Sequence, residues 1–293
     1  MKRAIMIIVF SFCAGFTLLS AQTQIQYGSN KEIGKYEQVN DIKMYYEVYG
    51  EGHPLLLIHG NSGSISSWSN QIPSLSKKYK VFIADSRAQG RSYDSDKEIT
   101  YSLMASDYNA LLNKLNLDSI YIMGWSDGGI IALDLAMNYP SKVKKMVLAG
   151  TNFNTDSTAL YPEVLMTFQN LKTIPFEKLP DLLKRAYTAL SPQPDRAPIV
   201  FKKLMNLMIK YPDYSTTEIS KINVPALILA GDHDLIREEH TLKLYQSIPH
   251  SQLLILPGTS HLVLFEKPEI VNQTVDTFFS TPYQDLDRFY FLK

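Results

Sequence analysis

The sequence predicts a mainly parallel α/β sheet flanked by helices, with an all-helical insertion lying over one end as a lid. Three observations carry this. Short apolar runs of buried-strand type alternate with amphipathic helical periods from residue 36 onward. That rhythm breaks between residues 151 and 217, where no convincing strand is found. It then resumes at residue 225, and strands that alternate with helices imply parallel pairing with both faces covered.

The chain has 293 residues, 45% of them apolar, which is enough for one large α/β domain with an insertion. Lys plus Arg and Asp plus Glu number 29 each, so no basic face draws nucleic acid and no acidic excess suggests a cation buffer. The first residues read Met-Lys-Arg, then run uncharged from Ala4 to Leu19, then reach Ser20-Ala21 before the polar Gln22-Thr23-Gln24. A basic start, an apolar centre and a small residue at the cut form an export signal over residues 1–21. The apolar run is shorter than the roughly 20 residues that span a bilayer comfortably. The expectation is therefore an exported chain, periplasmic or secreted, with no stable membrane insertion after cleavage. Cys13 is the only cysteine and lies inside the signal, behind a bulky Phe12 where lipid attachment wants a small residue. The mature chain then has no disulfide and no thiol nucleophile, and its stability must come from packing.

Each element follows from its pattern. Residues 42–49 alternate like a half-exposed strand, and residues 54–59, 81–84, 120–123 and 146–149 are buried-type runs. Residues 102–115 carry Leu103, Tyr108, Leu111, Leu112 and Leu115 at helical spacing, and residues 129–138 carry Ile130, Leu133 and Met137. These make residues 36–150 the first part of the core. In the insertion, residues 161–171, 176–190 and 197–209 are helical candidates, separated by Pro175 and the Ser191-Pro-Gln-Pro turn. Strands at 225–230 and 253–256 and a helix at 268–279 complete the core over residues 218–280, before a tail of residues 281–293.

The chemistry concentrates at Gly124-Trp125-Ser126-Asp127-Gly128, followed by Gly129. A strand running into this stretch and a helix leaving it put Ser126 on a sharp turn whose flanks have no room for side chains. This is the G-x-S-x-G nucleophile elbow, which lifts the serine oxygen above the sheet and aims the N–H of Asp127 at a developing oxyanion. A serine needs a base, and the base needs an acid to orient it. The elbow architecture has them later in the chain, in the order Ser, Asp or Glu, His. Gly231-Asp-His-Asp234 follows one strand and Gly258-Thr-Ser-His261 follows the next, each at a carboxyl end where open α/β sheets bind ligands. Asp232 and Asp234 compete for the acid. Asp234, third after Gly231, matches the usual position, and Asp232 is read as a turn cap. His261 is the expected base. His53, His240 and His250 lie in surface-type contexts, and His233 sits beside the acid. The run into His59-Gly60-Asn61-Ser62 supplies the second oxyanion N–H, with Asn61 the first choice and Ser62 the second, while His59 is read as a loop brace.

His59-Gly60, the segment Asp85-Ser-Arg-Ala-Gln-Gly-Arg-Ser92, the elbow and the two late loops together resemble the α/β-hydrolase superfamily over residues 36–280. Ala88 departs from the family's glycine at a position that packs beneath the site. The resemblance implies an eight-stranded sheet and a Ser126-His261-Asp234 triad. The elbow and Leu148-Ala-Gly-Thr-Asn152 further resemble valacyclovir hydrolase-like esterases, where the acid after the nucleophile receives the substrate's α-ammonium group, implying that role for Asp127. A second reading stands beside it: Asp127 as a helix N-terminal residue favoured by the dipole. Ser62 and Trp125 are further candidates for contact with substrate.

A hydroxyl at position 126 excludes the epoxide hydrolases and dehalogenases of this fold, whose nucleophile is a carboxylate. No metal-spaced His or Cys cluster, phosphate-binding glycine loop or flavin signature is present, so neither metal nor cofactor is expected. In the insertion Leu165, Met166, Phe168, Leu204, Met205, Leu207 and Met208 either line an acyl pocket or pack the lid, and Trp68 and Trp125 have the same ambiguity. The expected activity is hydrolysis of a small carboxylic ester through an acyl-enzyme. Related triad enzymes cleave lactones or carbon–carbon bonds or form peracids, and a rival of another class is a slow-turnover ligand receptor.

Overall fold

The computed structural model describes residues 25–286 and Phe289. The export signal expected at residues 1–21, with Cys13, lies outside these, as do residues 287–288 and 290–293 of the tail.

Eight strands, β1 (Lys35–Val39), β2 (Ile42–Tyr49), β3 (His53–Ile58), β4 (Tyr79–Ala84), β5 (Ile120–Trp125), β6 (Val143–Ala149), β7 (Ala226–His233) and β8 (Ser251–Ser260), form one sheet in the order β1-β2-β4-β3-β5-β6-β7-β8. β1 pairs antiparallel with β2, and β2 with β4; every other pairing is parallel. The helices are α1 (Ile72–Leu75), α2 (Tyr101–Lys114), α3 (Asp127–Asn138), α4 (Pro162–Thr173), α5 (Asp181–Thr188), α6 (Ala197–Lys210), α7 (Thr216–Ile219), α8 (Glu238–Ser247), α9 (Val263–Glu266) and α10 (Pro268–Ser280). Among the described residues no helix is long and apolar enough to cross a membrane.

The strand period of two sorts the apolar side chains onto two faces. Leu56, Ile58, Ile122, Met146, Leu148 and Ile228 share one cluster with residues of α2 and α3. Leu55, Leu57, Met123, Val147 and Leu227 share the other with residues of α1 and α10. Both faces are therefore buried, which is why these strands read as continuous apolar runs rather than alternating ones. The chain leaves β3 toward β4 on one side and then places β5 on the other. The carboxyl ends of β3 and β5 thus flank a topological switch point, where an open sheet offers a crevice.

The structure adds a strand ahead of residue 42. β1 reads KYEQV with mostly exposed side chains, so no apolar run announces it, and a turn with Asn40 at φ 45° folds it onto β2. The expected helix at 176–190 divides into a 3-10 turn, Phe176–Lys178, and α5, because Pro180 stops the first and stands just ahead of the second. Helix α8 was not expected: its buried side is short and partly polar, made of His240, Thr241 and Leu244.

In the insertion, α5 and α6 join the main core through Leu183, Tyr187, Val200, Phe201, Leu204, Met205 and Leu207. Of the residues read as lining a pocket or packing the lid, Leu204, Met205 and Leu207 pack the lid, and Met166 is 59% exposed. Trp68 is likewise buried in the core. The corner between α5 and α6 is fastened to the body at Asp94, a buried carboxylate that accepts from Arg196 Nη2 at 2.7 Å and from Lys203 Nζ at 3.0 Å.

Candidate active site

Ser126 stands between the last residue of β5 and the first of α3, at φ 56° and ψ −123°, a conformation that an L-residue adopts only at a cost. The flanking glycines show what enforces it. A Cβ on Gly128 would lie 2.0 Å from the carbonyl oxygen of Ile58 in β3, and one on Gly124 2.2 Å from the carbonyl oxygen of Gly128. Strand, turn and helix are too close for side chains at either place, and the serine between them is pushed out over the crevice.

The loops after β7 and β8 bring Asp234 and His261 to that serine. His261 Nε2 lies 3.0 Å from Ser126 Oγ, and His261 Nδ1 lies 2.7 Å from Asp234 Oδ1. The carboxylate accepts the Nδ1 proton, which leaves the Nε2 lone pair toward the serine hydroxyl. Asp234 Oδ1 also accepts the N–H of Ile236 at 3.0 Å, which fixes the carboxylate against its own loop. Burial would depress the pKa of His261, but the charge and hydrogen bond of Asp234, with the charge of Asp127, outweigh it and hold it above its ordinary value. Trp125 braces this imidazole. Its indole N–H donates to the carbonyl oxygen of His261 at 2.9 Å, and its ring packs against those of His261 and Phe265. Expected as a substrate contact, Trp125 is 8% exposed and turned to the histidine loop.

The two choices for the second oxyanion N–H separate. The N–H of Ser62 donates to Gln89 Oε1 at 2.6 Å and is engaged. The N–H of Asn61 meets no carbonyl among the described residues. That of Asp127 is the first of α3 and has no intrahelical acceptor. The side chains of these two residues are tied to each other, Asn61 Nδ2 donating to Asp127 Oδ2 at 2.8 Å. Burial raises the pKa of Asp127, while hydrogen bonds from Asn61 and Tyr101 and the charge of His261 work against the rise. The hydroxyl of Ser62 faces Asn61 and Tyr187. Gln89, Tyr101 and Tyr187 were not singled out from sequence; each reads there as an ordinary loop or core residue.

The remaining polar candidates have structural partners. His59 is buried, hydrogen-bonds the carbonyl of Gly60 through Nδ1 at 2.7 Å and accepts the N–H of Ser86 at Nε2 at 2.9 Å. Burial lowers its pKa to about 4, so it braces the loop as a neutral ring. Asp232 accepts the N–H of Thr259 at 3.0 Å and pairs with the exposed His233, joining the two late loops. His240 corrects the surface expectation: it is buried, accepts the N–H of Phe153 at 3.1 Å and stacks on that ring at 4.1 Å. Its polar neighbours in sequence hide that α8 turns this position inward. His53 and His250 are half-buried. Among the described residues no group of three or more His, Cys, Asp or Glu side chains is placed to hold a metal ion.

The alpha/beta hydrolase fold family matches residues 53–195. Serine hydrolase BPHL of Homo sapiens is 28% identical over 251 residues, which cover 82% of this chain and 84% of that protein. Among solved structures, a putative lipase of Acinetobacter baumannii AYE matches with a TM-score of 0.73 at 25% identity, over 84% of this chain and 90% of that one. The enol-lactonase of Burkholderia xenovorans LB400 matches with a TM-score of 0.70 at 22% identity, over 84% of this chain and 100% of that one, a likeness of fold.

Proposed function

We propose that this ester-acting hydrolase, similar to the alpha/beta hydrolase fold family over residues 53–195, cleaves a small carboxylic ester through a Ser126 acyl-enzyme. The observation that carries this reading is the unbroken line from Ser126 Oγ through the His261 imidazole to Asp234, with contacts of 3.0 Å and 2.7 Å. Ser126 attacks the carbonyl carbon as His261 Nε2 takes its proton. Asp234 holds the Nδ1 tautomer and stabilises the imidazolium. The backbone N–H groups of Asn61 and Asp127 receive the oxyanion, and loss of one such donor costs on the order of 3 kcal/mol in the barrier. His261 then returns the proton to the leaving alcohol, takes another from a water that adds to the acyl carbonyl, and gives it to Ser126 Oγ as the acyl–Oγ bond breaks and the acid leaves.

Asp127 also sets the substrate class in this reading. Its carboxylate lies beside the nucleophile and takes neutral donors, the side-chain amide of Asn61 and the hydroxyl of Tyr101. A carboxylate so placed attracts a cation strongly where screening is weak, which favours esters bearing an α-ammonium group. Turnover of p-nitrophenyl acetate by the purified chain tests the chemistry and separates an enzyme from a slow-turnover receptor. Ser126→Ala should lower kcat by at least about a thousandfold. Turnover that survives the substitution rejects the mechanism. The same assay on amino-acyl, short-chain and lactone substrates separates the acyl and leaving groups.

A further inference from the structure

We propose that Tyr187, on the lid helix α5, is a positioning residue for the oxyanion site, acting on Asn61 through Ser62. The inference rests on the reading that the N–H groups of Asn61 and Asp127 receive the oxyanion. Tyr187 OH lies 2.6 Å from Ser62 Oγ, which lies 2.7 Å from Asn61 Oδ1, and Asn61 Nδ2 lies 2.8 Å from Asp127 Oδ2. Chemistry fixes the direction of every bond. An amide oxygen repels a carboxylate, so Nδ2 faces Asp127 and Oδ1 faces Ser62. Ser62 must then donate to Asn61, which leaves Tyr187 as the donor to Ser62. The chain of donors runs one way, from the lid to a carboxylate, and each bond polarises the next.

The two residues that carry the oxyanion N–H groups are thus cross-linked by their side chains, and the cross-link is completed from the lid. The loop needs such a tether. Ser62 sits at φ 56°, in the left-handed region that favours glycine, and its N–H is held by Gln89. The lid end of the chain is firm: the Tyr187 ring meets Phe201 of α6 edge-on at 5.4 Å, and α6 is fastened to Asp94 through Lys203. Burial pushes the phenol of Tyr187 up to about 12, so it remains a donor throughout the working pH range.

Tyr187→Phe removes one oxygen and keeps the ring. With p-nitrophenyl acetate, kcat should fall roughly five- to tenfold while KM is unchanged, because the tether matters where negative charge develops. The rate at which a p-nitrophenyl phosphonate modifies Ser126 should fall by the same factor. Ser62→Ala should give a matching loss, and the double variant no further loss, since both act through one chain. Ser62→Ala also makes the test from the other end of the bond should Tyr187→Phe fail to fold. A change in KM alone, unchanged rates or additive losses would overturn the proposal while leaving the acyl-enzyme reading intact. A wild-type protein that the phosphonate does not modify at Ser126 overturns that reading, and this proposal with it.

Discussion

Asp127 answers to two partners at once: it is tied to Asn61, and its charge reaches His261. As the proposed base, His261 acts only when neutral, so kcat/KM should fall as pH drops through its pKa, which lies above the ordinary histidine value. Asp127→Asn removes one of the charges that raise it. The acid limb of the kcat/KM profile should therefore move to lower pH. In the same variant a phenylalanine ester should lose roughly tenfold more than a matched neutral ester. An unmoved limb would show that Asp127 does not act on the imidazole, and equal losses on the two esters would reject its part in recognition. The meeting of Ser126, His261 and Asp234 was legible in sequence because each sits directly after a strand. Gln89, Tyr101 and Tyr187 were not, because a tyrosine at helical spacing looks like core until its hydroxyl finds a partner far along the chain.

At the scale of elements, the unit that matters is β5, the turn at Ser126 and α3. Packing against Ile58 in β3 leaves the turn no relaxed alternative, and the strain falls on the one residue between the glycines. Glycine in place of serine would adopt φ 56° without penalty, whereas alanine would keep it. Both variants lack the proposed nucleophile, so stability reads the strain alone. Ser126→Gly should be more stable than Ser126→Ala by about 1–2 kcal/mol in urea unfolding, opposite to the usual order of the two residues. An alanine variant as stable as the glycine variant would mean that the turn holds no strain. This element was readable because apolar run, glycines and helical period each pointed to the same geometry. β1 was not, since a charged edge strand needs only its backbone to pair, and α8 was not, since it buries a histidine and a threonine where an apolar face is sought.

The whole molecule is closed by a segment that no pattern marked. Residues 25–34 precede the sheet and dock on it through Glu47, a carboxylate 0% exposed. Its oxygens accept the N–H of Gly28 at 2.9 Å and of Asn30 at 3.0 Å, with the hydroxyls of Tyr45 at 2.8 Å and Tyr49 at 2.7 Å. Four neutral donors thus stand in for a cation around a buried charge. From the other side Arg91 Nε donates to the carbonyl of Gly28 at 2.7 Å, and the Arg91 N–H donates to Asp85 Oδ2 at 2.7 Å. Asp85 Oδ1 accepts the N–H of Ile65 at 2.7 Å, which carries the linkage into the turn after the Asn61 loop. Removing the carboxylate takes their acceptor from two N–H groups, one buried and one half-buried, and from two hydroxyls. Glu47→Ala should therefore cost about 3–5 kcal/mol, seen as a fall in Tm of roughly 6–15 °C. Limited proteolysis should then cut within residues 25–34, while kcat at low temperature stays near that of the wild type, because the linkage stops at Ile65 and Asn61 is held separately through Ser62 and Asp127. A variant with unchanged Tm and a protected segment would show that the segment is held by its other contacts; a large loss of kcat in a folded variant would show that the linkage extends to the oxyanion loop itself.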